Sequence, residues 1–130
     1  MSRLLIDTHL LIWALDEIQR LPGEMRQIIE DPHNEVMFSV VSIWEIAIKA
    51  RLGRTDFAAR PDEIAASALA TGFVELPLRW QAAAAVAGLP PHHRDPFDRV
   101  IVAQAMTEPL HLYTADAKLG PYSPLVRVVI

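Results

Sequence analysis

The chain has 130 residues, 52% of them hydrophobic and 22% charged, which is enough to bury one core without disulfides or structural metal; a single domain spanning 1–130 is expected. It contains no cysteine, which excludes thiol nucleophiles, disulfides and cysteine-ligated zinc and fits a reducing compartment. A formal charge of −4 counts against a sequence-reading DNA binder with a broad basic face, but less against an enzyme whose bound cations supply positive charge locally.

Met1-Ser2-Arg3 and a three-residue apolar run are too short and too soon charged for a signal peptide, and no apolar stretch approaches membrane-spanning length, so a soluble, cytoplasmic protein is expected. Leu4-Leu5-Ile6 suits a central buried strand, with Asp7 at its carboxyl end. Thr8 can cap a helix opening at about His9, whose Leu10 to Leu15 stretch is apolar nearly all round. Pro22 opens a second helix that runs to about Glu30, and Val36-Met37-Phe38 reads as a strand. Ser39 caps a third helix with an expected apolar face of Ile43, Trp44, Ile46, Ala47 and Ala50, stopped by Gly53. Pro61 to Ala70 is a fourth helix closed by Gly72, Phe73 to Leu76 a strand, and Arg79 to Ala87 a short helix. Asp95-Pro96 starts a helix that runs to about Met106, with aspartate as cap and proline in the first position. Leu110 to Tyr113 and Val126 to Ile130 are the last strands. This alternation predicts an α/β fold, a three-layer α/β/α sandwich with a mostly parallel central sheet.

Four carboxylates, Asp7, Glu45, Asp98 and Asp116, stand where apolar runs meet helix starts or loops. In open α/β sheets ligands gather outside the carboxyl ends of strands, so a central first strand would bring these groups to one rim. Such a cluster is tolerable only with bound cations, and magnesium or manganese, which prefer a few carboxylates and leave positions open for phosphate, fits best. Bound ions of this kind activate water for in-line attack on phosphorus and offset charge on the leaving oxygen.

Each acid also has a plainer reading. Asp7 can simply cap the first helix, Ser42 to Glu45 fits a capping box, and Glu45 with Lys49 fits a solvated helix pair. Asp95 is explained as an N-cap, Asp98 can complement the helix dipole, and Asp116 can be a turn residue. His92 and His93 are read as loop residues near the substrate, because no matching spacing supports zinc. His9 is read as packing or site lining, and Trp13 and Trp44 as core or interface.

Four ordered blocks carry a family resemblance: Leu5-Ile6-Asp7-Thr8-His9-Leu10-Leu11-Ile12-Trp13; Ser39 to Ile46; His93-Arg94-Asp95-Pro96-Phe97-Asp98-Arg99 with Ala103-Gln104-Ala105; and Thr114-Ala115-Asp116. Together they closely resemble PIN-domain ribonucleases of the VapC toxin type. The resemblance implies a PIN fold and a Mg2+- or Mn2+-dependent endoribonuclease, with RNA as substrate. It also implies a homodimer held inactive by a small cognate antitoxin, which in turn binds the operon's DNA, so that DNA is met only indirectly. By position Asp7, Glu45, Asp98 and Asp116 match the family's acidic quartet, as catalytic and metal-holding residues. Asp95 and Thr114 are then outer-shell groups, and Arg94, Arg99 or Lys118 hold flanking phosphates. Leu119 stands where the family often has an aromatic, which bears on packing.

Three rivals compete. A receiver module would want an acidic pair after the first strand, and an aspartyl-nucleophile phosphatase would want an aspartate where His9 stands. The stronger rival is a catalytically silent PIN-like scaffold that binds RNA or protein.

Overall fold

The computed structural model describes residues 2–129. Five strands and six α-helices alternate: β1 (Ser2–Ile6), α1 (Thr8–Asp16), α2 (Gly23–Glu30), β2 (Asn34–Ser39), α3 (Val40–Arg51), α4 (Pro61–Thr71), β3 (Val74–Leu76), α5 (Trp80–Ala85), α6 (Pro96–Thr107), β4 (His111–Thr114) and β5 (Val126–Val128). Short 3₁₀ turns at Ile18–Arg20, Thr55–Phe57, Val86–Gly88 and Ala117–Tyr122 fill the connections. Ile130, the expected end of the last strand, lies outside the described residues.

All strand pairs are parallel, in the order β3-β2-β1-β4-β5, so β1 is central. The strands read as continuous apolar runs because both faces are covered. Leu4, Ile6, Val36 and Phe38 point into one core with Leu10, Leu11, Met25 and Ile64; Leu5, Met37 and Leu112 point into the other with Ile101, Val102 and Ala105. Each such fully buried side chain contributes about 1.5–3 kcal/mol. The result is the three-layer sandwich expected from the alternation, and no helix among the described residues is long and apolar enough to cross a membrane.

Several boundaries shift for identifiable reasons. Helix α1 begins at Thr8 and its cap is Asp7, whose carboxylate accepts from the Leu10 amide at 3.0 Å. The shorter Thr8 side chain turns inward instead. Gly53 and Gly72, at φ 77° and 100°, close α3 and α4 in the left-handed region that their missing Cβ permits. The largest correction concerns α3. Its buried residues are Val41, Ser42, Glu45, Ile46 and Lys49, while Trp44 is 55% exposed and Ala47 also faces outward. Ser39, capping through its hydroxyl to the Val41 amide, sets the phase of the helix, and the polar residues turned inward satisfy one another.

The chain leaves β1 for β2 on one side and later fills β4 on the other. The crevice beyond the carboxyl ends of β1 and β4 is therefore the switch point of the sheet, where the first helix of one half diverges from the loops of the other.

Candidate active site

Asp7 extends β1 into that crevice: its amide donates to the Tyr113 carbonyl at 3.1 Å, continuing the β1–β4 ladder by one residue. Its carboxylate is held twice, by the Leu10 amide on Oδ1 and by the Thr114 hydroxyl on Oδ2 at 2.5 Å. Thr114, at the end of β4, also accepts from the Asp116 amide at 3.0 Å, so one hydroxyl ties the two loops together.

Glu45 enters from the inner face of α3 and is 1% exposed. One oxygen accepts from the Thr8 hydroxyl, which also lies 2.9 Å from that of Ser42, and the other from the Lys49 ammonium at 2.5 Å. Neither the capping box nor the solvated pair describes it: the Glu45–Lys49 pair is buried. Lys49 reaches on to Asp95 Oδ2 at 2.6 Å and sits 4.7 Å from the centre of the Phe57 ring and 5.5 Å from that of Phe97. Asp95 meanwhile caps α6 through its other oxygen, accepting from Phe97 and Asp98 amides at 2.9 and 3.4 Å.

Asp98, in the first turn of α6, lies between these groups and Asp116. His93 Nε2 is 2.8 Å from Asp116 Oδ2 and 3.5 Å from Asp98 Oδ2. The Asp95 amide donates to His93 Nδ1 at 2.9 Å, which leaves the ring proton on Nε2, aimed at Asp116. One ligand atom from each of His93, Asp98 and Asp116 lies within 4.8 Å of the others.

The electrostatics follow from this crowding. Burial and the charges of Glu45, Asp95 and Asp7 push the Asp98 carboxyl up to about 8. Burial also raises Asp7, against the hydrogen bonds from Thr114 and Leu10. Asp95 goes the other way: burial would raise it, but the Lys49 ammonium holds it below the usual carboxylate range. Beside the acids, a cavity of about 390 Å³ opens between Asp7, Asp116, His9, Trp13, Arg20 and Asp56.

Asp7, Glu45, Asp98 and Asp116 thus share one cleft, with Thr114 and Asp95 in contact with it. Arg99 does not face it. Its guanidinium donates to the carbonyls of Val86, Leu89 and Pro90 and to the Tyr122 hydroxyl, making it a strut of the loop before α6. Arg94 and Lys118 are exposed, with no hydrogen bond from either side chain among the described residues. His9 packs edge-on against Phe57 with its ring centroid at 5.0 Å, and His92 does the same against Tyr122 at 4.9 Å. In sequence Lys49, His93 and Thr8 read as half of a solvated pair, a loop residue and a cap, and the structure turns all three toward the acids. The four-residue spacing from Glu45 to Lys49 was a signal for the first; nothing in the sequence signalled that His93 would bridge two aspartates.

A cleft of converging carboxylates at the switch point of a 3-2-1-4-5 parallel sheet places the chain in a known class. The PIN domain family matches residues 4–121, and the chain belongs to that family. Among solved structures it is similar to a DNA-bound VapBC from Salmonella typhimurium (TM-score 0.68, 17% identity, 99% of this chain and 98% of that one). It is also similar to a VapBC2 from Rickettsia felis bound to a promoter DNA fragment (0.66, 11%, 98% of each). A third is a toxin–antitoxin complex from Klebsiella pneumoniae (0.61, 23%, 96% of each). At these identities the likeness is one of fold. No curated protein matches the chain in sequence.

Proposed function

We propose that this chain is a Mg2+- or Mn2+-dependent endoribonuclease and the toxin of a toxin–antitoxin pair. The observation that carries the reading is geometric: Asp7, Asp98 and Asp116 converge at the switch point of the sheet with no lysine or arginine paired to them among the described residues, and burial with the neighbouring acids pushes the Asp98 carboxyl up. Carboxylate oxygens suit hard divalent cations, and with His93 Nδ1 accepting from the Asp95 amide and Nε2 carrying the proton, the donors left for an ion are those oxygens; the residues present fit such an ion. Asp7, Asp98 and Asp116 would hold it, with Glu45 behind them. Bound there, the cation would supply charge for phosphate oxygens and ease deprotonation of an attacking water.

The chain's own residues prepare that site. Thr114 fixes Asp7 and, through the Asp116 amide, the loop that carries Asp116. His93 orients Asp116 with its Nε2 proton, and Asp95 sets the first turn of α6 so that Asp98 projects into the cleft. In the free cleft Asp98 holds a proton near neutral pH and releases it when positive charge arrives. The adjoining cavity gives a polynucleotide room to lie against the acids.

The reading includes a small antitoxin as partner, a homodimer and a cytoplasmic location. Fold likeness to VapBC complexes supports the first, and the exposed Trp44 and Ile48 on α3, with Leu52 at its end, offer apolar surface for protein contact. The test is cleavage of RNA by purified protein with EDTA or Mn2+. Wild type should cut only with the ion, and Asp7→Asn and Asp98→Asn should lose at least about 100-fold, the scale of a lost charge-stabilising group. Undiminished cutting by both variants refutes the assignment, and ion binding without any cleavage favours the silent scaffold.

A further inference from the structure

The acids of the cleft fall into two electrostatically distinct groups. Glu45 and Asp95 share the Lys49 ammonium, at 2.5 and 2.6 Å. Asp7, Asp98 and Asp116 have no ion pair with any lysine or arginine among the described residues; the ring of His93 contacts Asp98 and Asp116, and that of His9 lies near Asp7. Lys49 is itself 8% exposed and clamped between the Phe57 and Phe97 rings, so its ammonium has little freedom to leave.

We infer that Lys49 is a built-in cation standing where a second divalent ion would otherwise bind, so that the cleft takes a single ion, on Asp7, Asp98 and Asp116. The inference rests on the metal-dependent reading above and says how many ions that reading needs. Sites that use two ions hold them about 3.5–4 Å apart between shared carboxylates. Here the carboxylates able to complete a second position are already bonded to an ammonium. A dication arriving there would have to break both ion pairs and leave a buried positive charge beside it, unpaired and repelled. Lysine suits the part better than arginine, since its compact charge lies between two carboxylate oxygens without the width of a planar fork. Lys49 is therefore a positioning residue: it acts through Glu45 and Asp95, and its effect is read in ion count.

The test is titration of metal-free, full-length protein with Mn2+, counting unbound ion by electron paramagnetic resonance, with folding followed by circular dichroism. Wild type should bind one ion per chain, Lys49→Arg one, and Lys49→Met, which keeps the stem and removes the charge, two. Two ions on wild type, or one on folded Lys49→Met, overturns the inference and leaves the nuclease reading standing. No ion on wild type overturns the metal dependence itself. Should Lys49→Met fail to fold, the wild-type count decides, with one ion supporting the inference and two refuting it.

Discussion

Asp98→Asn should make the metal-free protein more stable at neutral pH, although it removes a residue assigned to the site. Folding moves the Asp98 carboxyl from 3.8 up to about 8. The folded state therefore binds the proton more tightly than the unfolded chain, and stability falls as pH rises between those values. The penalty at pH 7 is the distance from 3.8, or about 4 kcal/mol at about 1.4 kcal/mol per unit. The side chain is 17% exposed, and water screens part of this, so a gain of about 2–4 kcal/mol is expected from the uncharged isostere. At about pH 4 the gain should vanish, since the carboxyl is then protonated when folded and about half protonated when unfolded. Asp7, also raised, adds a trend of the same sign. Asp31, Asp56, Asp62 and Asp95 are lowered, and their contribution is constant above about pH 5. Urea melts of both proteins in EDTA at pH 4, 5.5, 7 and 8 would measure the difference. Equal stability at pH 7, or a wild type that gains stability from pH 5.5 to 8, would show that these acids do not repel one another as described.

Mn2+ at about 100 times its dissociation constant should stabilise wild type by about 2.7 kcal/mol and Asp98→Asn by much less, measured as a shift in urea midpoint. Asp7→Asn should melt no lower than wild type without metal, whereas Asp7→Ala, which loses the α1 cap, should lose about 1–2 kcal/mol; a large loss in the asparagine variant would make Asp7 chiefly a cap. Thr8→Val removes the hydroxyl that bonds buried Glu45 and should cost about 1–3 kcal/mol in the same melts. Tyr122→Phe removes the acceptor of the His93 amide and a partner of Arg99, so amide exchange at His93 should quicken while that of the β1 core stays unchanged.

How much of this could be read from the sequence depends on which physical rule governed each residue. Strand β1, the Ser39 and Asp95 caps and the closing glycines depend on local chemistry, and their residue types announce them. The phase of α3 does not. Counting apolar residues puts Trp44 and Ala47 inside, but the helix turns Glu45 and Lys49 inward because partners from α1 and the α6 cap, distant in sequence, satisfy them. His93 is similar: its tautomer and its place between Asp98 and Asp116 come from a loop braced by Arg99 and Tyr122, a contact set no spacing encodes. The acids themselves were visible because each follows a strand or opens a helix, where any parallel sheet delivers side chains to one rim.

The bond from Thr114 to Asp7 joins residues 107 positions apart and runs beside the pairing of the first strand with the fourth. Parallel pairing over such a span closes late, after the shorter connections are in place. On a ribosome Asp7 emerges more than a hundred residues before Thr114, so the two cannot meet while only the first three strands are exposed. The growing polypeptide is thus without a completed cleft until the fourth strand has emerged and paired with the first, and whatever chemistry the cleft performs waits on that late docking.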